Sequence, residues 1–150
     1  MAHLETNIGT ETIDSVVRDL QRANLFSDAV VKDLLSAGAK IMLDSIKSSF
    51  IKSGHHRPGQ NRRTGETLRH ISSDRSPKKD KNGIPYMQIK IVGKDNRGQR
   101  FGVKGFVLNY GRRKGGKIAA DYYWTTAVKN TRQLVNDKMA EIAAEKLKGE

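Results

Sequence analysis

Three sets of residues in this chain are of types that could do chemistry. The first is His55, His56 and His70, whose imidazoles could ligate a metal ion. The chain has no cysteine and no His-Glu-x-x-His pattern, and the neighbouring carboxylates Glu66 and Asp74 stand at no established ligand spacing, so no metal centre is expected. The second set is the acids. Asp14, Asp28, Asp33, Glu141 and Glu145 fall on stretches of helical period, the pattern of solvated faces rather than of a paired general acid and base. The third is "YGRRKGGK", residues 110–117, where glycine amides beside lysine could cradle a phosphate. The phosphate-loop motif GxxxxGK[ST] fails there, because Lys117 is followed by Ile118. The expectation is therefore no enzyme and no cofactor. Gly111, Gly115 and Gly116 serve instead to let the chain leave one element and enter the next, with Asp121 near the start of a helix, where negative charge is favoured.

Charge is the stronger signal. The net charge is +12, and residues 52–117 hold 18 Lys and Arg against 4 Asp and Glu while the remainder holds 10 against 12. A basic middle of this kind attracts phosphate backbones or acidic protein surfaces, and charge alone does not choose between them. Arg57, Arg62, Arg63 and Lys117 are the candidate DNA contacts, with Lys78, Lys79, Arg112, Arg113 and Lys114 able to join them. A basic DNA-binding module is thus one reading. Against it, the aromatics do not interleave with the cations as a stacking platform, and no helix-turn-helix or RNP-type spacing occurs. Tyr122, Tyr123 and Trp124 form the densest aromatic run; such a run either anchors a helix to a sheet or sits at a subunit interface.

The elements that must position these residues follow from periodicity. Ile13, Val16, Val17 and Leu20 share one helical face, predicting a short amphipathic helix within an N-terminal helical arm over 1–26. Ser27 is a candidate N-cap for a long helix running to about Ser53, with Val30, Val31, Leu34, Leu35, Ile41, Met42, Ile46 and Phe50 in period and Gly54 ending it. Residues 54–66 and 74–84 are polar, basic and rich in glycine or proline, and are expected to be flexible loops. Between them, "TLRHISS" fits a helical turn or a short strand with Leu68 and Ile71 inward. "PYMQIKIVG" alternates Tyr86, Gln88 and Lys90 against Met87, Ile89 and Ile91, the period of a strand with one buried face. "KDNRGQ" is turn material, and "RFGVKGFVLNYG" reads as the second strand of a hairpin, with Phe101, Val103, Phe106 and Leu108. From about Ala120 to Lys148 a last helix carries Trp124, Ala127, Val128, Thr131, Leu134, Val135, Met139, Ile142, Ala143 and Leu147 along one stripe. The fold class expected is α+β: a small antiparallel sheet packed against two long helices, with a short N-terminal helix, as one domain over 1–150.

At 150 residues one core can form, burying roughly 70% of the surface that the unfolded chain exposes. Without cysteine it must hold by packing alone in any redox compartment, a reducing cytoplasm being the simplest home. "MAHLETNIGTETID" lacks the basic flank and apolar stretch of a signal peptide, and no apolar run approaches 18 residues, so no membrane span is expected.

The order "TGETLRHIS", a hairpin ending "FVLNYG", a basic loop, and "ADYYWTTAVKN" opening a long last helix resembles the tail-completion (head-tail joining) proteins of long-tailed, siphovirus-type bacteriophages. The resemblance spans about residues 30–148 and rests on Thr64, Gly65 and Leu68, on Tyr110 and Gly111, and on Tyr122 to Trp124 with Ala127. Asn109 stands where that family often has an acid, Arg112 where it often has threonine, and Asp121-Tyr122-Tyr123 where Pro-Phe is common. What the resemblance implies is a structural virion component, made in the host bacterial cytoplasm by a phage or prophage. It would sit where the tail meets the head connector, as a homo-oligomeric, six-fold ring contacting other tail and connector proteins. Tyr110, Arg112, Arg113, Lys114, Tyr122 and Tyr123 would then be subunit or partner contacts, and "GRRKGGK" a hinge and contact loop facing DNA in the channel.

Overall fold

A computed structural model describes residues 4–10, 14–54, 66–113 and 119–149. The elements in chain order are β1 (Glu5–Gly9), α1 (Asp14–Arg22), α2 (Asp28–Lys52), α3 (Glu66–Arg69), β2 (Ile71–Ser73), β3 (Lys78–Lys79), β4 (Pro85–Ile91), α4 (Phe101–Tyr110) and α5 (Tyr123–Lys148). The class is α+β, with an antiparallel sheet and two long helices packed together.

The expected N-cap holds: Ser27 has extended backbone and its Oγ accepts the Val30 N–H at 3.3 Å, so α2 starts where the short polar side chain satisfies a free amide. At about 1.5 Å per residue, α2 is about 37 Å long, and α5 is what covers it. The two run antiparallel. Lys146 reaches Asp33 at one end, Ser45 and Thr131 share a hydrogen bond in the middle, and the Ser49 hydroxyl donates to the Tyr123 carbonyl at the other end. Gly38 sits at their closest approach, where an added Cβ would meet Val135, Ile8 and Met139 at 3.0–3.2 Å. Leu34, Leu35, Met42, Ile46 and Phe50 of α2 and Val135, Met139 and Ala143 of α5 are buried between helices and sheet.

β4 is the central strand, with β1 on one side and β2 and β3 on the other. Met87, Ile89 and Ile91 face inward, as the alternation predicts, and Thr6 and Ile8 of β1 join them in register with Ile89 and Met87. The opposite face is polar, and on it Gln88 donates to Glu5. Among the described residues the long helices lie on the Met87, Ile89 and Ile91 face, a two-layer arrangement.

Four expectations are corrected. Residues 101–110 are a helix, not a hairpin strand. Phe101, Gly102, Gly105 and Asn109 are its buried positions, a helical face that lies against β4 and α5. Alternation in the sequence already breaks between Val103 and Phe106, but apolar residues all round the helix hide its period. Second, the N-terminal arm is not helical throughout: β1 pairs with β4 over five residues, too few for two inward side chains to announce a strand. Third, the polar stretch 74–84 contains a tight hairpin. Asp80 Oδ1 accepts the N–H groups of Asn82 and Ile84, Gly83 takes φ 77°, and β3 folds back on Pro85 and Tyr86. Fourth, Leu134 is not in the apolar stripe of α5; it is 58% exposed. "TLRHISS" is both alternatives in succession, a helical turn and then a strand, with Ile71 buried and Leu68 partly so. The basic stretch expected over 54–66 lies, apart from its end residues, outside the described residues.

Candidate functional site

The corner between α4 and α5 gathers most of the described residues singled out in the sequence. α4 ends at Gly111, whose φ of 79° turns the chain out while its N–H still bonds the Val107 carbonyl at 2.6 Å. The chain returns at Asp121 and Tyr122, whose amides bond the carbonyls of Leu108 and Asn109. The last carbonyls of α4 thus find donors in the segment that opens α5.

Asn109 fastens the corner. It is fully buried, its Oδ1 accepts the N–H groups of Trp124 at 2.9 Å and Thr125 at 3.3 Å, and its Nδ2 donates to Thr125 Oγ1 at 3.0 Å. Asp121 Oδ1 accepts the Tyr123 N–H. Between them, side chains outside the helix do for α5 what an N-cap does, since Tyr122 at the cap position offers no side-chain bond.

Tyr122 has φ 56° and ψ 33°, a left-handed conformation that a bulky residue adopts only when its surroundings impose it. Consecutive tyrosines consequently point opposite ways. Tyr123 is buried: its hydroxyl donates to the Gly105 carbonyl at 3.0 Å, and its ring meets Phe50 edge-on at 5.1 Å. Burial, with Asp121 adding to it, pushes its phenol well above the ordinary value, so it stays a donor. Trp124 is likewise internal, its indole donating to Thr6 Oγ1 at 2.9 Å and tying β1 to α5. These two are anchors of the helix, and Tyr123 offers no surface to a partner.

Tyr122 and Tyr110 do. They are 50% and 48% exposed, and their rings meet edge-to-face at 6.3 Å. Phe106 packs under Tyr110 at 4.7 Å, and Val103 continues the same face one turn back. Val103, Phe106 and Tyr110 follow helical spacing, so α4 buries one face and shows a second apolar face to solvent. That face was hidden in the sequence by the strand reading; spacing of three and four residues was the signal that could have revealed it. Arg112 and Arg113 are exposed beside it. Lys114 and Lys117, like Arg57, Arg62 and Arg63, lie outside the described residues.

His55 and His56 are outside the described residues, and His70 stacks on Phe101 at 4.1 Å. Among the described residues no group of three or more His, Cys, Asp or Glu side chains is placed to hold a metal ion, and no helix is long and apolar enough to cross a membrane. In comparisons with known proteins, no family model, no curated protein and no solved structure matches this chain.

Proposed function

We propose that this chain is a structural protein of a bacteriophage virion, at the head–tail interface or tail terminus, where a ring of copies completes the tail and joins it to the head connector. One observation carries the reading. Two of the pieces that resemble the tail-completion family, Tyr110-Gly111, which here ends a helix rather than a hairpin strand, and Tyr122-Tyr123-Trp124, converge on one corner, which turns Tyr122 and Tyr110 outward next to Arg112 and Arg113. Tyrosine and arginine are enriched where protein surfaces meet, because both combine a large flat contact area with a polar end. The corner is also stiff, being held by Asn109 and by the buried Tyr123 and Trp124, so little conformational entropy is lost when a partner docks on it.

Deleting the gene in a cell that produces the phage tests this reading. The expected lysate, seen by electron microscopy, contains filled heads alongside separate finished tails. Intact infectious particles would remove the structural role.

A further inference from the structure

A second surface complements the aromatic corner. On the solvent side of α5, Leu134 is the most exposed large hydrophobic residue of the described chain, and Asp137, Glu141 and Glu145 continue its stripe at spacings of three and four residues. Of the carboxylates, Asp137 accepts from Gln133, and Glu141 stands 3.5 Å from Lys138 with both side chains exposed, which are exchangeable surface partners. The corner presents the converse, an apolar face of Val103, Phe106, Tyr110 and Tyr122 flanked by Arg112 and Arg113. Leu134 lies about 18 Å along α5 from Tyr122, and Glu145 farther still, so one copy cannot bring its own two faces together.

We infer that the aromatic and arginine corner of one copy docks on the Leu134–Glu145 stripe of the next, a head-to-tail contact between copies of this chain. Apolar meets apolar, and Arg112 and Arg113 meet Asp137 and Glu141. Opposite charge sets the register and disfavours corner-to-corner pairing, where arginines would face arginines. The left-handed backbone of Tyr122 is a strain of the kind kept at contact sites, and it serves to place that ring in the docking face. A contact between two different faces leaves each copy with one face still open, so it propagates and closes as a ring when the rotation permits. The inference rests on the ring reading above and specifies the surfaces that make the ring.

The chain has no cysteine, so single thiols can be introduced cleanly. Val103→Cys and Leu134→Cys proteins, each otherwise intact, are mixed and treated with a short bismaleimide. The expected result is a cross-linked pair at least tenfold more abundant in the mixture than in either protein alone, and a ladder beyond two copies from the double variant. Arg112→Glu with Arg113→Glu in the Val103→Cys protein should cut the yield about tenfold, and Asp137→Lys with Glu141→Lys in the Leu134→Cys protein should restore it. Val103→Cys linking to itself, no enrichment in the mixture, or a double variant that stops at two copies would each overturn the contact. So would a charge reversal that spares the cross-link and lowers retention on duplex DNA, since the arginines would then serve nucleic acid. The two proposals fail separately: split heads and tails without a cross-link would leave joining standing and this contact refuted, and a cross-link with infectious particles in the deletion lysate would do the reverse.

Discussion

Asn109 shows how much one buried polar side chain can decide. Its oxygen receives two amides from the first turn of α5 and its nitrogen donates to Thr125, so both polar atoms of this fully buried side chain are satisfied. Asn109→Ala removes a cap and leaves the buried Trp124 amide and the part-buried Thr125 amide without this acceptor, and should destabilise the fold by about 1–2 kcal/mol. A lower urea midpoint with an unchanged slope is the expected record, and a midpoint equal to the parent's would contradict the role. Asn109→Asp should recover part of the loss. A carboxylate accepts the same two amides, the helix N-terminus favours its charge, and the Thr125 hydroxyl can turn to donate. The sequence marked Asn109 only as a departure from a pattern, because a cap supplied from another helix, more than ten residues away, leaves no local signature.

Between elements, legibility followed the strength of the period. α2 and α5 could be read because their apolar positions recur on one face and Ser27 announces the start of α2. β4 could be read because Met87, Ile89 and Ile91 alternate with polar residues. α4 could not, since it is apolar on its buried face and on its exposed one, and its glycines at 102 and 105 look like strand or loop residues until Ile91 and Tyr123 are seen pressed against them. The turn before it was legible in kind but its destination was not. There Asp95 organises the entry to α4: its Oδ1 accepts the amides of Arg97 and Gln99, and its Oδ2 holds Lys104 at 2.6 Å. These bonds, the Lys104 bond foremost, hold the Asp95 carboxyl below its ordinary value. A carboxyl depressed in the folded state stabilises the fold above its unfolded value, about 3.9, and that contribution disappears as pH falls through the lower folded value. The melting temperature of the parent should therefore drop more steeply below about pH 4 than that of Asp95→Asn. Parallel acid limbs would show that the turn does not depend on this charge.

For the whole molecule, the two-layer plan separates what holds the chain together from what it shows. The inner face of the sheet and the facing sides of α2 and α5 are spent on the core, and the proposed contact surfaces are the outward faces of α4 and α5. The excess of positive charge was legible in the sequence, but its use was not: of the nine cations named there as candidate DNA contacts, five (Arg57, Arg62, Arg63, Lys114 and Lys117) lie outside the described residues, and it takes the fold to set Arg112 and Arg113 beside Tyr110 and Tyr122. A joining protein that works through such a surface should act when added from outside. The most direct measurement is to mix purified protein with the separated heads and tails of the gene-deleted lysate and count infectious particles. The parent protein is predicted to raise the count by at least a hundredfold, and a Tyr110→Ala, Tyr122→Ala double variant that keeps the parent's melting temperature is predicted to raise it at least tenfold less. No rise with the parent protein, with heads and tails still apart, would contradict the account.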